Sequence, residues 1–203
     1  MQVFQETGRL ILRRLVAADL AHLCALDADP AVMRFLTGGT PTPCEVIRDD
    51  ILPRFLRSYE DGEGYGYWAA IVRATGEFAG WFSLRPRGAA YPDEATLGYR
   101  LRRAVWGRGY ATEGANALIR KGFADVGLRR IAATTYQDNL ASRRVLEKIG
   151  MAFVRSFRLT PDDLAAPGTF HVADPVAWDG DDVEYALTRE EWERQQCGNV
   201  RPG

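Results

Sequence analysis

The residues most capable of chemistry gather around two glycines, in the run Trp106-Gly107-Arg108-Gly109-Tyr110-Ala111-Thr112-Glu113. Glycine at 107 and 109 lets the backbone turn sharply and lets a ligand approach without meeting a Cβ. The amide N–H groups of Arg108, Gly109, Ala111 and Thr112 would then sit at a helix start, where the chain offers them no intrahelical acceptor. The positive end of the helix dipole and the guanidinium groups of Arg102, Arg103 and Arg108 reinforce one another, a combination suited to a pyrophosphate. A dinucleotide fingerprint would need a third glycine three residues on, and a P-loop would need Gly-Lys-Ser/Thr; the sequence has neither. Taken alone, the turn fits a glycine loop without a ligand equally well.

The turn needs a strand before it and a helix after it, and the pattern supplies both. Glu94 to Arg102 reads as a strand, and the stretch that follows Trp106–Glu113, to about Val126, as a helix with Ala115, Leu118, Ile119 and Phe123 on one face. Arg130 to Thr135 is a further strand. Asn139 to Ile149 is a helix stopped by Gly150, and Met151 to Leu159 is a strand. Upstream, Arg9 to Leu15 is an opening strand. Ala17 to Ala28 is a helix with Leu20, Leu23, Cys24 and Leu26 inward, ended at Asp29-Pro30. Pro43 to Tyr59 is a helix broken at Pro53, and Tyr67 to Val72 with Glu77 to Leu84 is a hairpin. Asp182 to Leu187 is a last strand, and Thr188 with Glu191 forms a capping box for a last helix. Pro161 to Asp181 is an irregular insertion. One domain over 1–196 with a disordered tail over 197–203, folded as α/β with a mixed sheet and helices on both faces, is the expected architecture.

The 203 residues carry a net charge of only −1, but its distribution is uneven. Residues 1–97 carry 10 basic and 13 acidic side chains, residues 98–150 carry 11 and 4, and residues 151–203 carry 5 and 10. A basic block between acidic flanks fits a compact anion better than a nucleic-acid track, so no nucleic acid is expected as a partner. No apolar run reaches the roughly 18 residues of a spanning helix, and Met1 to Arg9 lacks a signal-peptide core, so the expectation is a cytoplasmic chain with no membrane partner. Three scattered cysteines, Cys24, Cys44 and Cys197, point to free thiols, and two histidines leave little for a metal centre, so no metal is expected.

Trp106 to Ala111 resembles motif A of the GNAT superfamily of acetyl-CoA-dependent N-acetyltransferases, Gln/Arg-x-x-Gly-x-Gly/Ala, departing from it at Trp106. The wording Trp-Gly-x-Gly-Tyr-Ala-Thr-Glu is similar to that of the RimJ/RimL-like branch. So are Thr7 to Arg13, Leu97-Gly98-Tyr99, and the Asn-x-x-Ser helix running from Asn139-Leu140-Ala141-Ser142 through Leu146 to Met151. The resemblance spans residues 7 to about 193.

This resemblance implies a GNAT fold whose fourth and fifth strands splay, with the acetyl-CoA arm against Tyr99, Leu101 and Arg103 and the pyrophosphate at Arg108, Gly109, Tyr110, Ala111 and Thr112. It implies that the Leu101 amide could hold a developing oxyanion and that Asn139 would contact the cofactor arm, although Asn139 also reads as a helix cap. The family's usual Tyr acid falls at Leu146 and is absent; Ser142 takes its place as candidate acid and cofactor contact, with Tyr136 second. Glu94, Glu113, His171 and Asp182 are candidate bases for the incoming ammonium, with His171 and Glu94 preferred and the dipole accounting for Glu113 without catalysis.

The acceptor implied is an amine, either a small molecule or a protein N-terminus, attacking directly in a ternary complex; a homodimer is compatible. Its choice should lie in Phe35 to Arg57 and Leu159 to Asp181. The acidic residues Asp162, Asp163, Asp174, Asp179, Asp181, Asp182 and Glu184 would favour a cation there. The alternative from another class is a non-catalytic acyl-CoA-binding sensor of the same fold. Loss of the Tyr acid favours it; Asn139 and Ser142 favour the enzyme.

Overall fold

The structure is a computed structural model and describes residues 2–158 and 180–198. Eight strands form one sheet in the order β1-β2-β3-β4-β5-β6-β8-β7: β1 (Val3–Glu6), β2 (Leu10–Arg14), β3 (Gly66–Val72), β4 (Phe78–Pro86), β5 (Glu94–Leu101), β6 (Arg130–Tyr136), β7 (Ala152–Phe157) and β8 (Asp182–Thr188). Every neighbouring pair is antiparallel except β5 and β6, which run parallel. The architecture is α/β, with helices on both faces of a mixed sheet, as expected.

Strand alternation sends side chains to two cores. On one face Ala95, Leu97, Leu101, Ile131, Ala133, Val183, Tyr185 and Leu187 meet the apolar stripes of α5 (Tyr110–Lys121) and α6 (Leu140–Lys148). Trp192 of α7 (Arg189–Gly198) reaches Phe123 there. On the other face Tyr67, Ala69 and Trp81 pack against Leu23 and Leu26 of α1 (Leu20–Asp27) and against Ile47, Leu52 and Phe55. Ile47 opens the π-turn Ile47–Ile51 that joins α3 (Cys44–Val46) to α4 (Leu52–Arg57), and Leu52 and Phe55 belong to α4.

The helix expected to break at Pro53 instead continues through it. Pro53 follows directly on the wide turn Ile47–Ile51, so its missing N–H falls where the regular i→i−4 ladder is already interrupted. After Asp29-Pro30 the chain does not enter a loop but a new helix, α2 (Pro30–Thr37), whose cap is the Asp29 side chain accepting from the Ala31 N–H at 2.9 Å. The expectation of free thiols is corrected for two cysteines. Residues 38–43 fold back along α1, the Thr42 N–H donates to the Asp27 carbonyl, and Cys24 and Cys44, with Cα atoms 5.2 Å apart, are disulfide-bonded. Cys197 is free and exposed. It and Gly198 belong to α7, where a disordered tail was expected.

Candidate active site

The parallel pairing of β5 and β6 lasts only three residues, Glu94↔Arg130, Ala95↔Ile131 and Thr96↔Ala132. Beyond Thr96 β5 stays bonded to β4 as far as Leu101, and β6 stays bonded to β8 as far as Tyr136, so the sheet carries a gap between them. The orientation of β5 follows from its ends. The Glu94 carbonyl accepts from the Arg87 N–H and the Arg102 N–H donates to the Ala79 carbonyl, both toward β4. Alternation then turns the N–H groups of Leu97, Tyr99 and Leu101 into the gap.

At the end of β5 the chain makes one short 3₁₀ turn, Arg103–Val105, anchored by buried Val105. The Trp106 indole N–H donates to the Leu101 carbonyl at 2.8 Å, so the departure from the family motif supplies a donor that holds the strand end. Gly107 and Gly109 adopt φ of +73° and +78°, and Gly109 caps α5. The first helical bond is donated by the Glu113 N–H to the Gly109 carbonyl, which leaves the N–H groups of Tyr110, Ala111 and Thr112 at the mouth of the helix. Arg102, Arg103 and Arg108 lie exposed around them. Gly114 sets the depth of α5, because a Cβ there would overlap the Phe82 ring.

A brace from the turn between β1 and β2 holds the glycine turn. Glu113 accepts from the Thr7 hydroxyl at 2.6 Å, the Arg9 N–H at 2.7 Å and Arg9 Nε at 2.6 Å. Arg9 Nη1 donates to the Arg108 carbonyl at 2.8 Å, and its guanidinium lies 4.8 Å from the centre of the Tyr110 ring. Burial pushes the Glu113 carboxyl up, but the Thr7 and Arg9 hydrogen bonds outweigh it and hold the group below its ordinary range. Three donors on one carboxylate give Glu113 a bracing role.

The wall opposite the turn is α6. The Asn139 side chain caps it, accepting from the Ser142 N–H at 3.2 Å and donating through Nδ2 to Thr135 Oγ1 at 3.2 Å. Ser142 Oγ is 2.9 Å from the Tyr99 hydroxyl, so two candidate residues 43 positions apart meet beside the gap. Burial raises the Tyr99 phenol to about 12, against a smaller opposing effect of the Ser142 hydrogen bond. Leu146, where the family's acid would stand, is 1% exposed and part of the core.

The opposite face of the gap is lined differently. Arg100 is paired with buried Asp27 of α1 at 2.5 Å and lies over Trp81. Tyr136, buried on this face, stacks with Phe35 of α2 at 6.0 Å and is not brought together with Ser142. Glu94 stands at the closed end of the gap, about 17 Å of strand from Tyr99, with Oε2 accepting from Arg130 at 2.8 Å and Arg87 at 3.3 Å. Arg130 and Arg87 also bind Glu184 Oε1, at 2.8 and 3.1 Å, and Arg155 binds Glu184 Oε2 at 3.1 Å. This buried network spends Glu94 on clamping the three paired residues, which is why we give it no part in proton transfer. His171, with Asp162, Asp163, Asp174 and Asp179, lies outside the described residues.

A gapped sheet with inward amides, beside a helix mouth rich in donors, is the frame of an acyl-CoA-dependent transferase, and the comparisons agree. Residues 9–152 match the family model described as acetyltransferase (GNAT) domain. The chain is 33% identical over 198 residues to FsC-acetyl coenzyme A-N(2)-transacetylase of Aspergillus fumigatus, covering 94% of this chain and 78% of that one. It is similar in fold to a GNAT-family acetyltransferase of Bacillus anthracis (TM-score 0.70, 24% identity, 94% and 99% of the two chains). It is also similar in fold to the aminoglycoside acetyltransferase AAC(6')-Ib solved with coenzyme A (TM-score 0.69, 21% identity, 92% and 99%). The chain belongs to the GNAT acetyltransferase family, and it is an acetyltransferase enzyme.

Proposed function

We propose that this chain transfers the acetyl group of acetyl-CoA to a primary amine by direct attack in a ternary complex, as the RimJ/RimL-like branch it resembles does. The observation that carries the reading is the meeting of Tyr99 and Ser142 beside the gap whose edge presents the Tyr99 and Leu101 N–H groups. The donor's residues fit: Gly107 and Gly109 leave room above three helix-mouth amides, with nothing within 4 Å of a Cβ at Gly107. When bound, acetyl-CoA supplies an electrophilic thioester carbonyl and a thiolate leaving group.

The amides of Tyr110, Ala111 and Thr112, with Arg108, would hold the pyrophosphate, and Tyr99, Leu101, Arg103 and Asn139 would line the arm. The Leu101 N–H, fixed by the Trp106 bond on its own residue, would stabilise negative charge developing on the carbonyl oxygen. The Ser142–Tyr99 pair would supply the proton to sulfur. With Tyr99 raised to about 12, the pair stays protonated throughout the ordinary working range. A nitrogen acceptor is supported by the Aspergillus relative, an N(2)-transacetylase, and a cationic one by Asp182 at the far face.

The test is thiol release from acetyl-CoA with a panel of primary amines, from alkyl amines and polyamines to a peptide with a free N-terminus. One of them should be acetylated at nitrogen. Ser142→Ala should then lower kcat on the order of 10²-fold with acetyl-CoA affinity nearly unchanged, because the loss falls on the transition state. Acetyl-CoA binding with no transfer to any amine would turn the reading toward the sensor. An unchanged kcat in Ser142→Ala would pass the acid to Tyr99 alone.

A further inference from the structure

We infer that Asp182 is the general base that takes the proton from the incoming ammonium. This rests on the N-acetyltransfer reading and adds to it the residue that prepares the nucleophile.

The argument begins with register. Tyr136, the last residue of β6, pairs with Asp182, the first of β8, and Phe157 of β7 pairs with Asp182 from the other side. Val183, Tyr185 and Leu187 are buried toward α5 and α6, so alternation points Asp182 and Glu184 to the face carrying Tyr136, Arg130 and Arg100. Tyr136 lies four residues beyond the last β5–β6 pair, level with the open end of the gap. Asp182 is one strand further, about 4.8 Å across. It therefore stands at the open end of the gap, on the face opposite Ser142 and the pyrophosphate turn, where an acceptor must arrive if donor and acceptor are to meet through the sheet.

The second step is what holds each carboxylate on this face. Asp27 is paired with Arg100, Glu94 with Arg87 and Arg130, and Glu184 with Arg87, Arg130 and Arg155. Each of these carboxylates already accepts from a guanidinium, which occupies oxygen lone pairs that an incoming ammonium would need. Asp181 faces Arg158 at 3.5 Å. Asp182 has no ion pair or side-chain hydrogen bond among the described residues, although it is half-buried. The groups around it are Asp181 beside it, Tyr136 on β6, Phe157 on β7 and Glu184 two residues on, with Phe35 of α2 over Tyr136. None of these is a cation that would keep its pKa low. Burial first, and the charge of Asp181 second, raise its carboxyl above the ordinary range. A raised carboxylate is the more effective base.

The proton balance is simple. Asp182 takes one proton from the ammonium, directly or through a water, and passes it to solvent. As the N–C bond forms and the C–S bond breaks, the nitrogen gives its second proton to the emptied Asp182 carboxylate and so to solvent, sulfur takes one from the Ser142–Tyr99 pair, and the pair is refilled from solvent, so that one proton is released overall. The products are the amide and the free thiol.

The test uses the best amine of the panel and its alkoxyamine isostere, in which oxygen replaces the methylene beside nitrogen so that the amine is already neutral at pH 7. Asp182→Asn should lower kcat/KM for the alkyl amine on the order of 10²- to 10³-fold and for the alkoxyamine less than tenfold, with acetyl-CoA affinity unchanged. The acid limb of the pH profile should move in the variant, and Asp182→Glu should recover part of the rate. The variant's Tm at pH 8 should hold or rise, because a carboxyl raised in the folded state withdraws stability as pH climbs through its pKa. Equal losses with both isosteres, an unmoved acid limb or an unchanged rate would each overturn the inference, whereas a wild-type protein that acetylates no amine overturns the reading beneath it. Should Asp182→Asn not fold, Asp182→Ser carries the same isostere comparison.

Discussion

Gly109→Val is expected to raise the Kd for coenzyme A at least a hundredfold while the protein remains folded. Three effects coincide at this residue. Its φ of +78° lies where a β-branched side chain is strained by about 1–2 kcal/mol, so the helix cap would shift. A Cβ would come within 3.3 Å of Arg9 Nη2 and press on the guanidinium that holds the Arg108 carbonyl. The added methyl groups would also occupy the space above the Tyr110, Ala111 and Thr112 amides. Titration calorimetry with coenzyme A measures the result, and Gly107→Ala is the control, since it shares the backbone strain (φ +73°) but has open space around its Cβ. Undiminished affinity in a folded Gly109→Val protein would remove the turn from the binding site.

The other large effect concerns stability. Arg130→Met is expected to cost about 3–5 kcal/mol at pH 7, because it leaves Glu94 and Glu184, 6% and 3% exposed, to share Arg87, with the more exposed Arg155 reaching Glu184 alone. The pH dependence gives the signature. Burial pushes the Glu184 carboxyl up, but hydrogen bonds from Arg130, Arg155 and Arg87 bring it down to about 2. A carboxyl depressed in the folded state contributes stability that is present above its unfolded pKa, about 4.3, and is lost as pH falls toward the folded value. Urea denaturation across pH 7 to 2 should therefore show the gap between wild type and Arg130→Met narrowing below about pH 4.5. A constant gap would mean that the arginine acts through its packing alone.

The turn, its strand and its helix were legible in the sequence because glycine spacing and helical periodicity are local signals. Asn139 as a cap was legible for the same reason. The meeting of Tyr99 with Ser142 was not, since it depends on β5 and α6 lying side by side, although each residue had been singled out for its own motif. Glu94 misled because a carboxylate beside a motif strand looks available until the register sets Arg130 opposite it. Asp182 stood as one of four candidate bases with nothing local to single it out, and only strand register and pairing separate it from guanidinium-bound Glu184. The Cys24–Cys44 bond was hidden by the odd cysteine count, and α2 by the Asp-Pro step, which ends one helix while capping the next.

The three-residue contact between β5 and β6 has a consequence for how the molecule comes apart. A sheet joined by so short a parallel seam is close to two half-sheets, β1 to β5 and β6 to β8, riveted at one end by the Arg130 network and open at the other. A ligand arm lying along the Tyr99 and Leu101 amides would act as a partial missing strand, tying the free ends together. The halves would then owe part of their cohesion to the pool of acyl donor, about 2.7 kcal/mol when the donor is a hundred times above its Kd. A cell depleted of that donor would hold a protein not merely idle but looser along this seam.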